Sequence, residues 1–425
     1  MLQTPKLREL SFLIYGVGLS GHSVIKFFKK NKIKRFEVWD DKKKNIFKKN
    51  RSKNLFKTLE KVDYIVLTPG ISLLKNKTLR KYKKKIITDI DLFFLGKNKS
   101  KSIVVTGSNG KSTICKLLAH ILKKNKYKIS LGGNIGTPIL DLKNSNKHFT
   151  IIEASSFQLS HSKFICPDYG FFVNFSNDHL DWHGSMNNYL NSKLRIFRLQ
   201  TKKHYAIVNS KLKKIFIKKK FASKLVIPKE TDYKKINLKI KNDYLTSNIN
   251  YENMSFIYAF AKLMGIKERS FINAMRSFKG LPHRFEIFLK KNDLTFINDS
   301  KATSFSAAQS AVSGLKNIYW ILGGLPKKGD KFRLSQIKKN IIKCYLIGKN
   351  ISFFKKQIKN KLDFSITKNL KNSINQILKD VKRLEKKDKF ILFSPAAASF
   401  DQFTNFENRG EEFKRLSKKY VRKFT

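Results

Sequence analysis

Short apolar runs alternate with longer polar stretches of helical spacing along most of the chain. Continuous apolar runs, rather than strict alternation, predict parallel strands buried on both faces. The stretch "SFLIYGVGLSG" at 11–21 reads as a strand that ends in the turn Gly16-Val17-Gly18-Leu19-Ser20-Gly21. A helical pattern follows, and then a second strand, "RFEVWD", which ends at Asp40. This is a βαβ unit with a G-x-G-x-x-G turn and an acidic residue closing the next strand. A third strand, "VDYIVL", is closed by Pro69-Gly70. Taken alone, the glycine turn fits either a nucleotide-binding turn or a tight turn that binds nothing.

The pattern restarts near residue 100. "SIVVTGSNGKST", "YKISLGGNIGTPIL", "FTIIEASSFQLS" and "YGFFVNFSNDHLDWHGSMNNYLNSKLRIF" alternate strands with helical stretches. A second parallel, helix-covered sheet is expected. The Lys-rich region 201–245 yields no clear strands. A third change comes near residue 285. "LTFINDSKATSFSAAQSAV", "NIYWILGGLPKKGD", "IIKCYLIGK" and "KDKFILFSPAAASFDQF" each end an apolar strand in a polar or glycine-rich loop. The predicted fold is α/β in three domains. Residues 1–92 form a Rossmann-like domain, 93–283 a central P-loop-type parallel sheet, and 284–425 a second Rossmann-like domain.

A chain of 425 residues exceeds what one core supports. Its 36 phenylalanines argue against disorder. The three cysteines, Cys115, Cys166 and Cys344, are too far apart to suggest zinc or a disulfide framework. The apolar run "FLIYGVG" is too short to span a bilayer and no cleavage site follows it, so neither a leader nor stable membrane insertion is expected. A cytoplasmic, monomeric protein is the expectation.

The net charge of +60 raises nucleic acid as a partner. Only 14 of the 90 basic residues are Arg, however, and the lysines are spread along the chain. Base and phosphate readers favour Arg in clusters. The balance reads better as the imprint of an A/T-rich genome, and no nucleic acid is expected as a partner. A general attraction for anionic small substrates is expected from this charge.

The candidate chemistry starts at Gly107-Ser108-Asn109-Gly110-Lys111-Ser112-Thr113. A P-loop normally has four residues between its glycines, and here there are two. The other parts are in place. Backbone N–H groups meet at a helix N-terminus, Lys111 can reach the β- and γ-phosphates, and Ser112 can offer a hydroxyl to Mg²⁺. Glu153 ends the strand "FTIIE", where ligands bind in open α/β sheets. A carboxylate in an apolar strand has no cheap structural reason to be there. His179 lies beyond the next strand as a ligand or donor near a metal. Asp178, Asp181 and His183 read as a polar loop with helix caps.

These stretches together resemble the Mur ligase family of ATP-dependent amide-bond-forming enzymes. "TGSNGKST", "GGNIG", "EASSFQL", "NFSNDHLDWHGSMNNYLNSKLRIF" and "GLPHRFE" follow in the family's order. "FINDSKATS" and "LFSPAAASFDQFTNFENRGEEF" resemble its D-glutamate-adding branch. The D-[ND]-P-[RK] motif of the branch that adds a diamino acid is absent. The resemblance spans essentially the whole chain.

It implies an acyl-phosphate route joining D-glutamate to UDP-N-acetylmuramoyl-L-alanine, with ATP and two Mg²⁺ ions. By motif, Lys111, Glu153, His179 and Lys193 are the catalytic residues. Ser112, Glu153, His179 and Lys193, the last as a carbamate, are the metal ligands. ATP falls to residues 107–113 together with Asn253, Arg284 and Asp299, and Lys301 shares the loop of Asp299. The uridine substrate falls to Gly18, Leu19, Ser20, Asp40, Asp41, Lys42, Gly70 and Asn134. D-Glutamate falls to Thr303, Lys327, Ser399 and Phe406, with Lys328 able to replace Lys327. The third domain is expected to close on ATP.

One stretch departs from the family. In "LTSNINYENMSF", Ser247 and Ile249 stand where the family's G-x-H-N motif has Gly and His, while Asn250 and Asn253 remain. Two alternatives stay open. A ligase of the folylpolyglutamate synthase type would lack the uridine domain. A basic nucleic-acid-binding P-loop protein would cluster its lysines on one face.

Overall fold

The computed structural model describes residues 4–42, 47–96, 100–246, 248–327, 329–382 and 388–422. Ser247 and Lys328 lie outside the described residues. The chain forms two compact units: Met1–Ile240 with Asn253–Phe278, and Lys241–Glu252 with Lys279–Thr425.

The first unit holds two sheets. Strands β1 (Phe12–Tyr15), β2 (Phe36–Trp39), β3 (Tyr64–Leu67) and β4 (Ile86–Ile87) pair in the parallel order β2-β1-β3-β4. All four residues of β1 are buried, as its unbroken apolar run requires. Phe12 and Ile14 pack on Val24, Ile25 and Phe28 of the helix Leu19–Lys30. Leu13 and Tyr15 pack on the opposite face with Leu59, Ile65 and Leu79.

The second sheet contains β5 (Lys101–Thr106), β6 (Lys128–Gly133), β7 (His148–Glu153), β8 (Tyr169–Phe172), β9 (Tyr205–Val208) and β10 (Lys224–Val226). Its order is β10-β9-β8-β5-β7-β6, parallel throughout. The last two strands and the helix Glu230–Ile240 fill the Lys-rich region that sequence patterning leaves open. Its apolar positions are few, but Ala206 and Val208 of β9 are buried against Phe216. The chain leaves β5 toward β6 and β7 on one side and returns to β8 on the other. The C-terminal end of β5 is therefore the point where strand order reverses and a ligand crevice opens.

The second unit is built on β11 (Glu286–Lys291), β12 (Leu294–Asn298), β13 (Ile318–Gly323), β14 (Ile341–Ile347), β15 (Phe364–Lys368) and β16 (Lys389–Phe393). The order is β11-β12-β16-β13-β14-β15, with β11 an antiparallel edge and the rest parallel. Separate apolar clusters cover its two faces, one around Trp320 and Phe354 and the other around Tyr345 and Phe413. Among the described residues no helix is long and apolar enough to cross a membrane.

Candidate active site

The short P-loop follows β5 into the helix Lys111–Lys124. Gly110 caps that helix at φ +78, and a Cβ there would meet Asn253 Oδ1 at 2.5 Å. A side chain at 110 is strained by the left-handed backbone and would displace the Asn253 side chain. Asn174 braces the loop. Its carbonyl accepts from the Ser108 amide at 3.0 Å, and its side-chain oxygen accepts from the Asn109 amide at 2.9 Å. Ser108 Oγ also lies 3.1 Å from Tyr189 Oη.

Two lysines converge on one carbonyl. Lys111 Nζ donates to Gly107 O at 2.9 Å and to Ser108 O at 2.9 Å. Lys193 Nζ donates to the same Gly107 O at 2.7 Å and lies 4.6 Å from the Tyr189 ring centroid. Lys193 is 1% exposed. Burial, reinforced by the Lys111 ammonium, pulls its amine well below the ordinary lysine range.

Ser112 Oγ donates to Glu153 Oε2 at 2.5 Å, and Asn134 Nδ2 donates to Glu153 Oε1 at 2.8 Å. Glu153 is 2% exposed and makes no ion pair among the described residues. Both donors are neutral, so folding buries this carboxyl group on hydrogen bonds alone. No three His, Cys, Asp or Glu side chains converge as a ready cage among the described residues.

His179 sits at φ +54 at the start of the helix Leu180–His183. Its ring lies 3.4 Å from Asp178 Oδ2 and 6.1 Å, centroid to centroid, from Tyr189. Tyr189 thus links His179, Lys193 and the P-loop, and Glu153 joins this network through Ser112, the neighbour of Lys111. His183 differs from expectation. It is no solvated cap but is buried, with Nε2 2.9 Å from Ser156 Oγ and Nδ1 3.5 Å from Ser192 Oγ. Burial drives its pKa down to about 4, so it stays neutral.

The residues expected at the uridine site gather at the C-terminal ends of β1, β2 and β3. Asp40 accepts from the Val17 and Lys42 amides at 2.7 and 3.0 Å. Asp41 accepts from Tyr15 Oη and Trp39 Nε1, both at 2.9 Å. Ser20 hydrogen-bonds the buried Asp89, and Leu19 is fully in solvent at 83% exposure. The glycines divide by role. Gly16 is at φ +97, and a Cβ there would lie 2.1 Å from Thr68 Oγ1; one on Gly21 would lie 2.2 Å from Gly16 O. A Cβ on Gly18 or Gly70 would meet nothing within 4 Å. The first pair is required by the fold, while the second pair faces open space. Asn134 stands apart from this cluster, on Glu153.

In the second unit Asp299, Thr303, Lys327 and Ser399 sit on loops that follow the strands β12, β13 and β16, whereas Arg284 precedes β11 and Phe406 opens the helix Phe406–Val421. Asp299 is buried, accepting from the Phe285 amide at 3.1 Å and from Ser394 Oγ at 2.7 Å. Burial pushes its carboxyl up to about 7, with Ser394 and Arg284 opposing. Its protonated form is therefore favoured by folding, and that stability is present below about pH 4 and lost as pH rises through 7. Asp299→Asn is expected to flatten the fall of the urea midpoint between pH 5 and 7.5; an unchanged slope would contradict this.

Lys301 Nζ lies 3.8 Å over the Phe406 ring. The Leu325–Ala398 bridge sets the loop of the half-buried Lys327 beside the buried Ser399, and Thr303 is half-buried on the adjoining loop.

Sequence reasoning missed Arg409, which ties these loops together. It is 1% exposed and donates to Ser300 Oγ, Ser300 O and Ala397 O at 3.0, 2.8 and 3.0 Å. Ser300 Oγ in turn donates to Phe406 O at 2.8 Å. The signal was available, because position 409 falls on the same helical stripe as Phe413 and Leu416.

Comparison with known proteins gives the family. Residues 105–275 match the Mur ligase middle domain. The UDP-N-acetylmuramoylalanine–D-glutamate ligase of Rickettsia prowazekii (strain Madrid E) is 36% identical, covering 96% of this chain and 97% of that protein. The ligase of the same name from Wolbachia sp. subsp. Brugia malayi (strain TRS) is 32% identical over 100% and 99%. The ADP complex of MurF ligase from Thermotoga maritima superposes with a TM-score of 0.59 at 15% identity, covering 100% and 98%, which is a likeness of fold. With near-complete coverage of relatives at such identity, this chain belongs to the Mur ligase family, in the branch of the UDP-N-acetylmuramoylalanine–D-glutamate ligases.

Proposed function

We propose that this protein joins D-glutamate to UDP-N-acetylmuramoyl-L-alanine at the expense of ATP, in peptidoglycan precursor synthesis. The observation that carries this reading is the convergence of Lys111 and Lys193 on Gly107 O, in the loop whose next residue, Ser112, donates to the buried Glu153. A carboxylate oxygen of the substrate attacks the γ-phosphorus of ATP, and ADP leaves. The amine of D-glutamate then adds to the acyl carbon, loses a proton and expels phosphate as the amide forms.

The P-loop amides of residues 107–113 cradle the phosphates, with Asn253 beside Gly110. Lys111 exchanges its carbonyl contacts for the transferring phosphoryl oxygens and stabilises their charge. Ser112 and Glu153 are hard oxygen donors suited to Mg²⁺. His179 and Lys193 are assigned to a second ion, Lys193 after its neutral amine adds CO₂ and loses a proton to give a carbamate. Mg²⁺ would neutralise phosphate charge there. Asn134 orients Glu153 and is assigned to the uridine substrate as well.

The backbone at Gly18 and Gly70, with Leu19, Ser20, Asp40, Asp41 and Lys42, is assigned to the uridine nucleotide. The open space at both glycines supports this. Arg284 and Asp299 are assigned to ATP, and Thr303, Lys327, Ser399 and Phe406 to D-glutamate. A dicarboxylate needs cations and donors, which this set supplies.

Gly16→Ala is expected to cost about 1–3 kcal/mol of stability from backbone strain, seen as a lower thermal midpoint. Gly18→Ala should keep the midpoint and weaken UDP binding in calorimetry. The reverse pattern would contradict these roles. The function itself is tested by ADP release from UDP-N-acetylmuramoyl-L-alanine with D-Glu, L-Glu or L-Lys. D-Glu alone should support turnover. Equal turnover with L-Lys, or none with D-Glu, would overturn the reading.

A further inference from the structure

A cavity of about 220 Å³ lies within the first unit, against the helices that carry His183 and Lys193. Its walls include Leu73, Leu74 and Trp182, and its cations are Arg80, Lys83 and Arg195. No carboxylate lines it. The arginines are held in place. Arg80 donates to Leu73 O and Leu74 O at 3.1 and 2.7 Å, and Arg195 to Ser162 O at 2.7 Å. Fixed cations lose little freedom when a ligand arrives.

Two ring nitrogens in the wall, Trp182 Nε1 and His161 Nε2, find no partner among the described residues. Burial, with Arg195 and Lys83 next in effect, holds His161 neutral with a pKa of about 3. The electrostatic surroundings are therefore cationic. The cavity is smaller than a drug-sized site of about 300 Å³ or more, so its occupant is a fragment-sized molecule.

We infer that this cavity is a binding site for a small organic carboxylate with a flat apolar body, and that its occupancy tunes the catalytic cleft. The apolar body packs between the leucines and Trp182, while the carboxylate faces Arg80, Lys83 and Arg195. Coupling runs through the lining residues that neighbour His179 and Lys193. His183 and Ser192 both line the cavity and lie 3.5 Å apart; His183 closes the short helix that His179 opens, and Ser192 precedes Lys193. Ser72 Oγ also donates to Trp182 O at 3.3 Å, which ties the leucine segment to this wall. Binding is independent of the ligase reading, whereas the effect on turnover rests on it.

The test uses the full chain with 4-fluorobenzoate as probe, read by fluorine NMR and calorimetry without substrates. Saturable binding is expected, at least about tenfold tighter (~1.4 kcal/mol) than for 4-fluorobenzyl alcohol, which lacks the charge, or acetate, which lacks the body. Leu74→Trp, which fills the cavity, and Lys83→Glu, which reverses a cation at its mouth, should each weaken binding by about tenfold or more. Equal binding of the alcohol, or unchanged affinity in both variants, would overturn the site. ADP release should change with 4-fluorobenzoate in the parent protein and stay constant in Leu74→Trp. Binding without any change in turnover would overturn the coupling while leaving the ligase reading intact.

Discussion

Lys111→Ala is expected to lower ADP release by about 10³-fold or more, the scale seen when a charge-stabilising group is removed from phosphoryl transfer. The side chain is already at the phosphate cradle, with its ammonium on Gly107 O and Ser108 O. Those carbonyls are weak partners for a cation, so the exchange for phosphoryl oxygens costs little. The fold should survive, because the buried apolar face of the same helix, Ile114, Leu117, Leu118 and Ile121, is untouched. An unchanged thermal midpoint with lost turnover is the expected pair of results. Near-normal turnover would remove Lys111 from the mechanism.

Lys193→Ala is the second large effect, expected at about 10²–10³-fold in turnover. An ordinary ammonium at 1% exposure beside a second lysine is costly, and burial favours its neutral form. A neutral amine is the form that adds CO₂, and the proposed carbamate would replace a cation with two oxygen donors. Alanine leaves a vacancy for those oxygens, so acetate or formate should restore part of the activity. Lys193→Arg keeps a positive charge and should show no rescue. Full activity of Lys193→Ala without added carboxylate would eliminate the carbamate. Equal, unrescued loss in both variants would assign Lys193 to holding Gly107 instead.

Much of this was legible in the chain because the chemistry is local. A strand, a glycine turn and a helix place Lys111 and Ser112 by themselves. Glu153 announces itself as a charge in an apolar strand. What pairs across the sheet is less visible. Nothing in "VNFSND" shows that Asn174 braces the P-loop, since that contact depends on β8 lying beside β5. The same neighbourhood explains His183, which sits in a run of polar residues yet is buried beneath Tyr189 and Ser192. Local polarity suggests a solvated cap, and tertiary packing overrides it. Arg409 shows the reverse, a charge on an apolar stripe that composition alone assigns to solvent. The region 201–245 resisted reading because dense lysines blur the apolar spacing that β9 and β10 depend on.

The central claim is that this cleft activates a carboxyl group by moving a phosphoryl group onto it. The most direct measurement follows oxygen atoms from UDP-N-acetylmuramoyl-L-alanine labelled with ¹⁸O in its free carboxylate. With ATP and D-glutamate present, the account predicts one labelled oxygen in each phosphate released and the other retained in the new amide. Phosphate that carries no label, formed at the same rate as product, would contradict it.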